Sequence, residues 1–162
     1  MICLDTCVVI WGVQGAAHPG QEGMIGRTRR YLAGLSKDGV RIMIPAVVVG
    51  EYLEGFPPEE QGRHLAVLKA NFFLPAFDAK CAEIASQLRA AASRQTSVSP
   101  GMRRAAKADA QIIATAIAHN AELIVTGNLT EYRRLSNGRI KVSDVPDVWE
   151  QPDLLTQAEK RP

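Results

Sequence analysis

The sequence predicts an α/β domain of three layers, α/β/α, in which a mainly parallel central sheet carries helices on both faces. Short apolar runs bounded by Gly, Pro, Asn or Asp recur along the chain. Longer stretches lie between them, with apolar residues returning every three or four positions and charges on the other side. The two kinds alternate, which is the pattern of βα units and of parallel strands joined by helical crossovers.

Taken in order, the strand candidates are Ile2 to Leu4, Arg41 to Ile44, Phe72 to Leu74, Glu122 to Thr126 and Ile140 to Val142. The helical candidates are Met24 to Leu35, Ala46 to Glu54, Gln61 to Ala70, Ala79 to Ala92 and Met102 to His119. Turn chemistry falls between them at Ser36 to Gly39, Pro57-Pro58, Ser97 to Gly101 and Asn137-Gly138. The expected domain covers residues 1–143. Residues 144–162 are acidic, contain three prolines and lack sustained periodicity, and are read as a tail packed along the surface or partly mobile.

Composition narrows the class. A chain of 162 residues suits one domain with a sizeable core. Its 46% hydrophobic and 22% charged residues are those of a globular protein and not of a disordered one. Apolar runs such as IMIPAVVV are far too short to span a bilayer and no secretory leader is evident at Met1, so a cytoplasmic protein without a membrane partner is expected. Cys3, Cys7 and Cys81 are odd in number and spread out, which suits reduced thiols. A net charge of +2 permits a nucleic-acid partner without demanding one.

Three carboxylates fall where a core is expected. Asp5 interrupts the apolar run MICLDTCVVIW. A helix laid on PAVVVGEYLEG from Pro45, a residue suited to the first helical position, has the stripe Ile44, Val47, Val48, Glu51, Tyr52, which puts Glu51 on the apolar side. The same construction on KADAQIIATAIAHNAE makes Asp109 the start of the stripe Asp109, Ile112, Ile113, Ala116, Ile117. A carboxylate facing an apolar surface costs several kcal/mol unless it is paired, hydrogen-bonded or metal-bound. In an open parallel sheet, residues just beyond the carboxyl ends of the strands gather along one edge. Asp5 follows the first strand, Asn128 follows ELIVT, and Glu51 and Asp109 lie early in helices that can start at that edge. Lys and Arg are absent near Asp5 and Glu51, although Lys107 could serve Asp109. A divalent cation meets the need, and all-oxygen donors favour Mg²⁺ or Mn²⁺ over zinc.

The stretch ADAQIIATAIAHNAELIVTGNLTEYRRL, with LDTCVVIW at the start and PAVVVGEYLEG between, resembles the PIN-domain family of Mg²⁺- or Mn²⁺-dependent ribonucleases, especially VapC-like toxins of bacterial toxin-antitoxin pairs. The resemblance runs from Met1 to about Val142, with three motifs in the family's order and approximate spacing. It implies a PIN-like fold, metal ligation by Asp5, Glu51 and Asp109, and support from the hydroxyls of Thr6 and Thr126. At the fourth acidic position this chain has Asn128, and either Asn128 contributes a neutral oxygen or Glu131, three residues later, supplies the charge. The implied reaction is endonucleolytic cleavage of RNA by metal-activated water, leaving 5′-phosphate and 3′-hydroxyl ends. The implied assembly is a homodimer, blocked by a protein antitoxin that inserts a peptide near the acidic pocket. Candidate RNA-binding cations are Arg27, Arg29, Arg30, Arg103, Arg104, Lys107, Arg133 and Arg134, although such clusters are often solvated helix faces.

Other readings compete. Asp5 alone could be a helix cap, and Glu51 and Asp109 could be rim residues. His18, His64 and His119 have no partner at metal spacing and read as surface or core-edge residues. Trp11 and Tyr52 read as packing or subunit-contact residues, and Tyr132 as the anchor of the turn after Asn128. No GxGxxG, GxxxxGK[ST] or GxSxG stretch is present. The chief alternative is a non-catalytic PIN-like module that binds RNA or protein. A receiver-like domain would need a supporting lysine at the sheet edge, and Lys107 is poorly placed for that role.

Overall fold

The computed structural model describes residues 1–93 and 100–147, with side chains described for 1–92 and 106–147. Four strands, β1 (Ile2–Leu4), β2 (Ile42–Met43), β3 (Leu123–Val125) and β4 (Lys141–Ser143), form a sheet in the order β2-β1-β3-β4. All pairings are parallel, with Cys3 opposite Met43 on one side and Ile124 on the other. The helices are α1 (Thr6–Val9), α2 (Gly23–Lys37), α3 (Ala46–Leu53), α4 (Pro58–Asn71), α5 (Ala79–Ser93), α6 (Pro100–Ala118) and α7 (Leu129–Ser136). This is the expected three-layer α/β/α architecture.

The centre of the sheet is buried on both faces. Cys3, Leu4, Ile124 and Val125 are fully enclosed and join Ile112 and Ile113 of α6 and Val48 of α3 in the core. α5 packs along α6, and α6 against α7. Ala-rich α6 has high helical propensity, and its stripe Ile112, Ile113, Ala116 turns inward as its periodicity requires. None of the described helices is long and apolar enough to cross a membrane.

Several expected boundaries move. Phe72 to Leu74 forms no strand: Phe73 makes one parallel bridge to Met43. Pro75 follows at once and has no N–H to continue a ladder, while its carbonyl accepts the Ala46 N–H at 3.2 Å. Pro45 is not the first helical residue but the residue before it, with an extended ψ of 148°. Of the turn expected over Ser97 to Gly101, residues 97–99 lie outside the described residues, and Pro100 and Gly101 already belong to α6. The tail from residue 148 also lies outside them. Val145, before it, is fully buried in the core.

Two helical segments were not anticipated. α1 continues into a π-helical turn over Ile10–Gln14, closed by Gly15 at φ 75°. A Cβ at Gly15 would also meet the Arg29 guanidinium, so the close requires glycine. α7 occupies the stretch read as a turn. Its signal was present, since Asn128 followed three residues later by Glu131 is a helix-start pattern.

Candidate functional site

The strand order reverses between β1 and β3: the chain leaves β1 for β2 on one side and returns to β3 on the other. In parallel sheets such a reversal opens a crevice at the carboxyl ends of the two strands. Asp5 follows β1 there, and Thr126, Gly127 and Asn128 follow β3. The Asp5 N–H donates to the Val125 carbonyl at 3.0 Å, which locks the two loops in register.

Asp5 is buried, with 8% of its surface exposed. It does cap α1, its Oδ1 accepting the Thr6 N–H at 2.7 Å. It also accepts the Tyr132 hydroxyl on Oδ1 at 2.7 Å and the Thr126 hydroxyl on Oδ2 at 2.6 Å. The Cys7 thiol lies 3.5 Å from Oδ2, a weak donor. The Thr6 hydroxyl donates to Glu51 Oε2, joining the end of β1 to α3. The Thr6 hydroxyl thus holds Glu51, and the Thr126 hydroxyl holds Asp5.

Asp109, half-buried on α6, completes the group. Burial first, and then the charges of Asp5, Glu131 and Glu51, push its carboxyl from 3.8 up to about 7, while the neighbouring Tyr132 hydroxyl pulls it down. Four acids therefore share one electrostatic neighbourhood. No lysine or arginine among the described residues pairs with Asp5, Glu51 or Asp109. Lys107 is exposed and forms no ion pair with Asp109. Glu131 differs, because Arg134 grips both its oxygens at 3.0 and 2.5 Å and lowers its carboxyl below the ordinary range.

The donor set fits a hard divalent cation in charge and chemistry: oxygen donors throughout, with excess negative charge. Among the described residues no three His, Cys, Asp or Glu side chains are gathered closely enough to form a ready ligand cage. The acids are electrostatic neighbours at wider spacing. Asn128 is exposed, and its side chain does not cap α7; its N–H is held instead by the Thr126 hydroxyl at 2.9 Å.

The expected cations differ in availability. Arg29, Arg30, Lys107 and Arg133 are exposed, Arg27 is half-buried with Nε enclosed, and Arg134 is held by Glu131. The side chains of Arg103 and Arg104 lie outside the described residues. A cleft of about 560 Å³ opens away from the acids, between α2, β2 and the end of α4, lined by Leu32, Val40, Ile42, Val67 and Phe73.

At the site Cys7 had no role assigned from sequence, and Tyr132 only that of anchoring a turn. Tyr132 anchors Asp5 and not only a turn: it is fully buried, and burial followed by the charges of Asp5 and Asp109 keeps its phenol protonated. Cys7 accepts the Gly127 N–H at 3.3 Å, and burial and the Asp5 charge push its thiol up to about 12. Trp11 and Tyr52 are packing residues, 4% and 2% exposed. Trp11 stacks so closely on Gly127 that a Cβ there would lie 2.6 Å from its ring. Of the histidines, His18 is exposed, while His64 stacks on Phe56 and His119 packs edge-on to Phe73.

The fold is similar to that of chains in three solved structures. VapBC2 from Rickettsia felis bound to a promoter DNA fragment gives a TM-score of 0.64 at 23% identity, covering 89% of this chain and 98% of that one. DNA-bound VapBC from Salmonella typhimurium gives 0.64 at 21% identity, covering 90% and 98%. FitAcB from Neisseria gonorrhoeae gives 0.60 at 20% identity, covering 89% and 97%. No curated protein sequence matches. The PIN-domain family model matches residues 2–136, from β1 to the end of α7 and through every acid described above. With that match running over most of its length, the chain belongs to the PIN-domain family.

Proposed function

We propose that this PIN domain is a metal-dependent endoribonuclease, the toxin half of a toxin-antitoxin pair, working in the cytoplasm as a homodimer. The observation that carries the reading is the acid group at the switch point, which no lysine or arginine among the described residues pairs, and where burial and acidic neighbours push Asp109 up to about 7. Asp5, Glu51 and Asp109 are the residues that hold Mg²⁺ or Mn²⁺, with Asn128 offering a neutral oxygen. When bound, such an ion lowers the pKa of water and offsets charge that builds on the phosphodiester oxygens.

The chain's own residues do the rest. Thr126 and the Thr6 N–H fix the orientation of Asp5, and the Thr6 hydroxyl fixes Glu51. Exposed Arg29, Arg30, Lys107 and Arg133 supply cationic contacts for the RNA backbone, where phosphate contacts position the strand. The resemblance to VapC-like toxins supports the antitoxin partner.

Calorimetric Mn²⁺ titration followed by an RNA-cleavage assay tests the reading. Wild type should bind metal and leave 5′-phosphate ends, whereas Asp5→Asn, Glu51→Gln and Asp109→Asn should fold and fail to cut. Unimpaired cutting by any one of them removes that residue from the site. The neutral Asn128 and the wide spacing of the acids favour one second reading, a non-catalytic RNA-binding module. Its signature is RNA binding that survives Asp109→Asn, with no cleavage by wild type.

A further inference from the structure

Asp5 has more donors than a helix cap needs. Oδ1 accepts two strong ones, the Thr6 N–H and the Tyr132 hydroxyl, both at 2.7 Å. Oδ2 accepts one strong donor, Thr126 at 2.6 Å, and one weak one, the Cys7 thiol at 3.5 Å. A carboxylate oxygen offers about two acceptor sites. Oδ1 is therefore filled by two strong donors, whereas one of the two donors on Oδ2 is a weak thiol that a cation can displace.

Tyr132 is wholly buried on α7, its one O–H donates to Asp5 Oδ1, and Asp109 of α6 stands close enough for its charge to be felt at the phenol. One O–H thus ties the end of β1 to α7. A phenyl ring would fill the same space, so packing does not explain the hydroxyl.

We propose that Tyr132 is a positioning residue of the metal centre: with the Thr6 N–H it occupies Oδ1 of Asp5 and leaves Oδ2 as the oxygen offered to the cation. This rests on the metal-site reading above. Groups that orient metal-binding side chains through hydrogen bonds typically affect affinity or activity by about 10- to 100-fold when removed. Losing the Tyr132 hydroxyl leaves Oδ1 with the Thr6 N–H alone and loosens the orientation of Asp5.

The test compares wild type, Tyr132→Phe and Asp109→Asn by Mn²⁺ calorimetry, with near-ultraviolet circular dichroism and thermal unfolding as checks on the fold. Tyr132→Phe should remain folded and bind Mn²⁺ about 10- to 100-fold more weakly. A folded Tyr132→Phe with unchanged or tighter binding overturns the inference and leaves the metal site standing. A wild type that binds no Mn²⁺ overturns the metal-site reading itself, and the inference with it. A second measurement does not depend on the variant. The chain has three tyrosines, so 3-fluorotyrosine labelling gives separate ¹⁹F signals for Tyr31, Tyr52 and Tyr132. The Tyr132 signal should shift on Mg²⁺ titration while the other two stay fixed, and an unmoved Tyr132 signal overturns the proposal.

Discussion

Replacing Asp109 by asparagine is expected to stabilise the metal-free domain at neutral and alkaline pH while abolishing its response to metal. The Asp109 carboxyl is raised from 3.8 to about 7 by burial and by the charges of Asp5, Glu131 and Glu51. A raised value means that the native protein holds this proton more tightly than the unfolded chain does. Native stability therefore falls as pH climbs from about 4, and the loss is complete above about 7. At about 1.4 kcal/mol per pH unit between the two values, the ceiling is about 4 kcal/mol. Asp109 is only half-buried, and solvent screening brings the expected loss to about 2 kcal/mol.

Asparagine keeps the shape and cannot ionise. Urea unfolding in chelator should show the two proteins alike near about pH 4 and the variant ahead by about 2 kcal/mol at about pH 8. Saturating Mn²⁺ at the higher pH should reverse the order, because a ligand that binds the native state of the wild type alone stabilises it alone. Parallel stability profiles across this range, or a variant less stable than wild type at the higher pH in chelator, would refute the reasoning.

The loop after β3 yields two further predictions. Gly127→Ala places a methyl group 2.6 Å from the buried Trp11 ring and 3.4 Å from the Cys7 sulfur. Such overpacking should cost about 1–3 kcal/mol in urea unfolding, and a neutral result would mean that Trp11 does not pack there. Asn128→Asp should preserve or raise Mn²⁺ affinity measured by calorimetry; a clear loss would assign the fourth position to Glu131.

The acids were legible because each broke a local pattern. Glu51 and Asp109 stand on the apolar stripes of α3 and α6, and the periodicity that places them there is a property of a single helix. β1 and β3 were legible as short apolar runs for the same reason. Phe72 to Leu74 misled because an apolar triplet reads as a strand wherever it stands, while its pairing depends on Pro75, which ends it after one bridge. α7 was missed because eight residues carry little periodic signal, although Asn128 and Glu131 marked its start.

What the sequence determined by itself was the alternation of strands and helices and the set of carboxylates that a core could not tolerate unpaired. Both follow from forces acting within a turn or two of chain. Only the tertiary structure decided which groups satisfy those carboxylates. The order β2-β1-β3-β4 sets the end of β1 beside the end of β3, so Asp5 meets Thr126 across 121 residues and Tyr132 across 127. No periodicity encodes those pairings; they exist because two parallel strands far apart in sequence became neighbours and brought the loops at their ends together.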